Sequence, residues 1–162
     1  RVQGSVFFSS KSLTDNLAGV NDSLRNDFYR YPALQPAMLW LDSVDPNPPR
    51  DMMAKALTNC VDISWKTPIA ASDGQTAYGY VIYRFNEGDE IRTSEPDKIL
   101  KISFDASQTS FSDLTVSPGK RYTYVVTAID RLKNESVNSA KVGIQTGESG
   151  APVVAIPTAT GQ

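Results

Sequence analysis

The sequence predicts a mainly β protein: seven short strands folded as a two-layer antiparallel sandwich, with a strand–helix unit in front of it. Three observations carry this. Residues 120–130 (K-R-Y-T-Y-V-V-T-A-I-D) put Tyr122, Tyr124, Val126 and Ala128 on one face and Arg121, Thr123, Val125 and Thr127 on the other. That period of two, rich in β-branched and aromatic residues, marks a half-buried strand. Turn signals then separate similar runs, at Asp73-Gly74, Glu87-Gly88-Asp89 and Pro118-Gly119. Finally, seven such runs over about 100 residues are the number expected of an immunoglobulin-like sandwich.

From the N-terminus, residues 2–8 (V-Q-G-S-V-F-F) end in three consecutive apolar residues. Loss of alternation there predicts a strand covered on both faces, as in parallel sheets. Ser9, Ser10 and Lys11 make a polar exit. Val20, Leu24, Phe28 and Tyr31 follow at spacings of four, four and three, one apolar stripe of a helix. Asn21 or Asp22 is placed to cap its start, Arg30 suits the dipole of its last turn, and Pro32 ends it at about Tyr31. Strand, turn and helix are half of a βα unit, which cannot bury its faces alone.

Residues 32–49 carry Pro46, Pro48 and Pro49 and predict a stiff, extended linker. Strands are expected at 50–57, 60–65, 78–85, 98–103, 110–113, 120–130 and 136–144. Cys60 reads as a small, half-buried strand residue. After Gln145 the chain is rich in Gly, Ser, Pro, Ala and Thr, with one apolar patch at 153–156, and is expected to be a tail.

Composition excludes several functions. The 162 residues fit one domain plus an appendage, enough for one core. The 16 basic and 18 acidic residues are interspersed, leaving no basic stripe to neutralise phosphates, so no nucleic acid partner is expected. No apolar run approaches the roughly 18 residues of a membrane span. The chain opens at Arg1 without a signal peptide, which predicts a mature product or a piece of a longer one. Histidine is absent and Cys60 is the single cysteine. That removes Ser-His-Asp and Cys-His nucleophiles, His/Cys zinc sites and an internal disulfide, and no cofactor is expected.

Five motifs then match a known family. I-S-W-K-T-P (63–68), Y-V-I-Y-R (80–84), T-S-F-S-D (109–113), the 118–130 run and N-E-S (134–136) resemble a bacterial fibronectin type III domain over residues 46–146. The resemblance makes Trp65 the core tryptophan, faced by Tyr80 and Ile82. It makes Tyr122 the tyrosine of the E–F corner, its hydroxyl bonded to nearby backbone, with Tyr124 and Val126 continuing the buried face. The 131–135 loop holds no Arg-Gly-Asp, so integrin-type adhesion has no basis.

Residues 1–45 resemble something else. G-S-V-F-F-S-S-K-S-L (4–13), D-S-L-R-N-D-F-Y (22–29), Y-P-A-L (31–34) and W-L-D (40–42) are similar to the C-terminal end of the (β/α)8 barrel in glycosyl-hydrolase-like family 10 proteins of Bacteroides type. The resemblance implies three parts: a barrel remnant at 1–45, a sandwich at 46–146 and a tail at 147–162. It also implies an exported protein, in the periplasm, at the cell surface or outside the cell. The parent is then a glycoside hydrolase, and its own catalytic barrel is the first partner.

A glycosidase needs two carboxylates about 5–9.5 Å apart across the sugar. Of Asp15, Asp22, Asp27, Asp42 and Asp45, the helical pair Asp22 and Asp27 point apart, so no catalytic pair is expected here. Glu87, Asp89 and Glu90 lack the ligand spacing of a calcium loop and read as a solvated hairpin tip; no metal is expected. Ser9, Ser10 and Lys11, at the carboxyl end of a last barrel strand, are candidates for touching carbohydrate in the intact parent. Trp40 is the fourth candidate, though P-A-M-L-W-L suits a domain junction better. Tyr78 and Tyr83 are expected at a strand surface or edge. The function that follows is a non-catalytic accessory module in carbohydrate breakdown. The alternative is a glycan- or protein-binding module, with polysaccharide as the ligand in the first case. An unpaired strand at 2–8 further predicts self-association through residues 1–45.

Overall fold

The structure, a computed structural model, describes residues 10–147. The strand expected at 2–8, Ser9 and the apolar patch at 153–156 lie outside the described residues. Seven strands form: β1 (Arg50–Ala56), β2 (Val61–Lys66), β3 (Gly79–Asn86), β4 (Ile99–Ser103), β5 (Ser110–Asp113), β6 (Arg121–Ile129) and β7 (Val142–Gln145). They make a three-stranded sheet, β1-β2-β5, and a four-stranded sheet, β4-β3-β6-β7. All pairs are antiparallel.

The core lies where the sheets face. Val61, Ile63 and Trp65 from β2 meet Tyr80 and Ile82 from β3 and Tyr122, Tyr124, Val126 and Ala128 from β6. Period two dictates this, because alternate residues of each strand share one face. Trp65 packs edge-on to Tyr80 with ring centroids 5.3 Å apart. The Tyr122 hydroxyl accepts the Ser117 N–H at 3.1 Å.

The outer face of the four-stranded sheet is buried too. Val81, Tyr83, Phe85, Val125 and Ile129 form a second apolar cluster, with Leu34, Ile91 and Ile102 packed against it. This corrects two expectations. β6 is not half-buried, for Val125 and Thr127 are as enclosed as the inward residues. Tyr83 is no surface residue; it is fully enclosed, and its hydroxyl donates to Glu135 Oε1 at 2.6 Å.

The last strand is shorter than expected. Regular pairing covers only Val142–Gln145, because two serines replace backbone upstream. The Ser136 and Ser139 hydroxyls accept the Ala128 and Val126 N–H groups, while their own N–H groups donate to the carbonyls of the same two residues. A hydroxyl standing in for a carbonyl satisfies β6 without a strand geometry.

The expected helix is also different. Helical turns run Lys11–Thr14, Leu17–Gly19, Val20–Ser23 and Leu24–Phe28, the last with π-type pairing. Asn21 and Asp22 do not cap it; their N–H groups donate to the Asn16 side chain. Tyr29 leaves helical geometry at φ −118, so the helix stops short of Tyr31. The stripe buries little, and Phe28 is 77% exposed.

Residues 32–49 are extended but not free. Met38 N–H donates to the Leu132 carbonyl at 3.2 Å. Asn134 Nδ2 donates to the Asp42 carbonyl at 3.1 Å, Gln75 Nε2 to Asp42 Oδ2 at 2.8 Å, and Asn47 Nδ2 to the Ala70 carbonyl at 2.9 Å. With Leu34 on the outer sheet face, the linker is a strap laid along the sandwich.

Candidate functional site

The site is best sought at the end of the sandwich where the 130–134 loop, the start of β3, the end of β4 and the strap meet. The loop is held by Asp130. Its Oδ1 accepts the Leu132 and Asn134 N–H groups at 2.7 and 2.9 Å, and its Oδ2 accepts Asn134 Nδ2 at 2.8 Å. Asp130 and Asn134 are both buried. This frame forces Lys133 into the left-handed region at φ 70, an uncommon place for a side chain with a Cβ.

The other wall is set by Gly79. A Cβ there would come within 2.1 Å of the Ser103 carbonyl oxygen and 2.9 Å of Phe104 Cα. Glycine alone permits this approach of β3 to the end of β4, and it brings Tyr78 beside Phe104. The two ring centroids are 6.2 Å apart with the planes tilted by 41°. Tyr78 is 41% exposed and Phe104 52%. Lys133 Nζ lies over both faces, 4.5 Å from the Tyr78 centroid and 4.3 Å from that of Phe104. Beside it, Gln75, Arg131 and Leu132 line a hollow of about 260 Å³.

The remaining candidates fall elsewhere. Ser10 and Lys11 open the turn Lys11–Thr14, where the Ser10 carbonyl accepts the Leu13 and Thr14 N–H groups. Trp40 sits on the strap's turn, 76% exposed rather than packed on the sandwich. Among the described residues no hydrogen bond joins Ser10 to that turn. Trp65, Tyr80, Ile82, Tyr122, Tyr124 and Val126 all lie in the core. The acids at the β3 hairpin are paired: Asp89 with Lys98 at 2.8 Å, Glu87 with Arg121 at 3.3 Å and Glu90 with Arg92. The Lys98 ammonium holds Asp89 below its ordinary range, and Asp89 in turn raises Lys98. Hollows of about 220, 250 and 260 Å³ open on the surface, and none of these three is lined by two carboxylates.

One polar cluster is buried at the opposite end. Asp113 Oδ2 accepts the Tyr124 hydroxyl and Arg84 at 2.8 Å each, and Oδ1 accepts the Thr115 N–H and hydroxyl. Burial pushes the Asp113 carboxyl up, but the Thr115 and Tyr124 hydrogen bonds and the Arg84 charge outweigh it and hold it below its ordinary value. Burial, then the bond to Asp113, raises Tyr124; burial, then Glu135, raises Tyr83. Every group here has a partner in the fold, so the cluster is structural.

Missing from the sequence reading was the Tyr78–Phe104–Lys133 arrangement. The signal was there in part: D-R-L-K-N, with Asp130 and Asn134 four apart, is a side-chain-bonded loop.

Sheets of three and four antiparallel strands, with a tyrosine hydroxyl closing the corner before β6, define an immunoglobulin-like sandwich of the fibronectin type III kind. The chain belongs to the family described as fibronectin type III domain, SaeA third domain, which matches residues 50–146. It is 40% identical over 141 residues to "Glycosyl hydrolase YngK" of Bacillus subtilis, covering 86% of this chain and 26% of that protein. It is 34% identical over 109 residues to "Amylopullulanase" of Thermoanaerobacterium saccharolyticum, covering 65% of this chain and 8% of the relative. Among solved structures, the twitchin kinase region of C. elegans superposes with a TM-score of 0.52 at 19% identity, over 64% of this chain and 17% of that one, a likeness of fold alone. The chain thus spans about a quarter of the first relative and less of the second. No helix among the described residues is long and apolar enough to cross a membrane.

Proposed function

We propose that this chain is a non-catalytic accessory part of a glycoside hydrolase, with the sandwich held against a catalytic domain of family-10-like (β/α)8 barrel type. One observation carries it. The 141-residue alignment with YngK is longer than the matched sandwich and everything after it together, so it reaches back into the strap and the helical turns. The likeness is to a sandwich together with its lead-in, and the lead-in is bonded to the sandwich rather than swinging free. A docked strap sets the orientation of what it connects, which a loose linker does not. Leu17, Phe28 and Tyr29, exposed on the helical turns, are the surface the barrel covers. A second copy of the chain is the competing occupant, and sedimentation over a range of concentrations separates the two. An exported location belongs to the same proposal.

The test uses the intact product of the gene and the 162-residue chain side by side. The chain alone releases no product from aryl glycosides or polysaccharides. Removing the sandwich from the intact product lowers its Tm and its activity. Turnover by the chain alone, abolished by a single Asp or Glu substitution, overturns the proposal.

A second reading, a glycan-binding module, is favoured by one feature, the exposed Tyr78–Phe104 pair.

A further inference from the structure

Three local features meet at one exposed cleft, the second of them imposing the third. Gly79 admits a contact that no other residue allows, and so seats Tyr78 beside Phe104. Asp130 fixes the loop from within. Lys133 holds a left-handed conformation that Asn or Gly adopts with less strain. Strain kept at a surface position, where a polar residue of lower strain would fit, points from the observed outlier toward function.

The charges point the same way. Lys133 has two ring faces as partners and, among the described residues, no carboxylate; Arg131, exposed on the same loop, has none either. The acids that border the loop take hydrogen bonds from their neighbours, Glu135 among them from the Tyr83 and Thr127 hydroxyls. Asp130 accepts three hydrogen bonds, Asp42 accepts from Gln75 and the Val44 N–H, and Asp105 accepts from Ser107. Among the described residues the cleft thus presents two cations without an ion-pair partner beside two exposed rings.

We propose that Tyr78, Phe104, Lys133 and Arg131 form a binding site for a carboxylate-bearing polysaccharide, a polyuronate. The C–H face of a pyranose ring is apolar and weakly positive, and so complements an aromatic face. The carboxylate at C5 of a uronate projects from the edge of that ring. A sugar that stacks on Tyr78 or Phe104 takes the ring face now under the Lys133 ammonium, and its carboxylate replaces that face as the ammonium's partner; a carboxylate is a stronger partner for an ammonium than a ring face is. The neighbouring hollow beside Gln75 and Arg131 takes the next unit of the chain. Two cations are too few to track a nucleic acid backbone. The choice of carbohydrate over an acidic peptide rests on the proposed accessory role; the geometry and charge of the cleft do not.

The experiment is an NMR titration of the whole chain with oligogalacturonate, with malto-oligosaccharide and with oligoglutamate of equal length, at low and at moderate salt. Oligogalacturonate shifts the amides of Tyr78, Phe104, Arg131 and Lys133, and does so less at the higher salt. Lys133→Asn removes the charge but suits the left-handed backbone, so affinity falls about tenfold or more while Tm stays level or rises. Lys133→Arg keeps most of the affinity. No shifts at these four residues overturn the site. Equal binding of malto-oligosaccharide overturns the carboxylate requirement, and equal binding of oligoglutamate overturns the sugar. Any of these leaves the accessory role standing, since that is tested on the intact product.

Discussion

The Tyr124 hydroxyl donates to Asp113 Oδ2 at 2.8 Å, and so ties the two sheets together, since Tyr124 lies in β6 and Asp113 ends β5. Arg84 in β3 reaches the same oxygen at 2.8 Å and stacks over the Tyr122 ring at 5.0 Å. The sandwich is thus closed at this end by one carboxylate with four hydrogen-bond donors.

Removing Asp113 leaves Arg84 without its counter-ion and is expected to cost about 3–5 kcal/mol. Tyr124→Phe removes one bond to a charged acceptor and should cost about 1.5–3 kcal/mol. The two effects share an oxygen, so the double variant falls short of their sum. Urea denaturation checks all three.

The same carboxylate sets an acid dependence. Its folded-state pKa lies below the ordinary 3.8, so it stabilises the fold at pH values above the unfolded value. That stability is lost as pH falls from the ordinary carboxylate range through the lower folded value. Asp113→Asn should therefore flatten the acid limb of a stability–pH curve without abolishing it, because Asp51, Asp89 and Asp105 are lowered as well. An acid limb identical to that of the parent chain counts against the inter-sheet carboxylate.

Trp65 and Tyr122 make a contrasting pair. Trp65→Ala empties a ring's volume from the core and should cost about 3–5 kcal/mol. Trp65→Phe should cost only roughly 1–2 kcal/mol, because a ring remains against Tyr80. Tyr122→Phe keeps the Arg84 stacking but strips the Ser117 N–H of its acceptor, for roughly 0.5–1.5 kcal/mol. Melting curves that rank Trp65→Phe below Trp65→Ala would contradict this packing.

The strand pattern was legible because inward positions alternate, and Tyr122, Tyr124 and Val126 follow from it, while Trp65 and Tyr80 came from the likeness of their motifs to fibronectin type III sequences. What covers the other face of a sheet is not written in the strand itself. Val125 and Tyr83 are buried in part by Leu34, distant in sequence, and by Ile91 from the β3–β4 connection. Ser136 and Ser139 have ordinary strand propensity, and only their hydroxyl contacts show why the ladder stops being regular there. The aromatic cleft was hidden for a similar reason. Tyr78, Phe104 and Lys133 lie far apart in sequence, and the glycine that brings the first two together shows its meaning only beside the Ser103 carbonyl. The prolines announced stiffness at 46–49, but the anchoring of the strap depends on Gln75 and Asn134, which carry no local signal.

Asn134 is the side chain on which that anchoring turns. It is buried, and Nδ2 bridges the Asp42 carbonyl of the strap and the Asp130 carboxylate of the loop. Asn134→Ala breaks both bonds while leaving the backbone N–H on Asp130, so the loop loosens without losing its turn. The expected loss is about 1–3 kcal/mol, since Asp130 Oδ2 is left buried without that donor. The diagnostic effect is local. Met38 N–H, bonded to the Leu132 carbonyl, should exchange with solvent faster, and a protease should cut near Leu39–Leu41 sooner, while the amides of β2 and β3 keep their protection. Gln75→Ala, which removes the bond to Asp42 Oδ2, should act in the same direction and more weakly, because Gln75 is exposed. If exchange at Met38 matches the parent chain in both variants, the strap is held by something other than these two side chains.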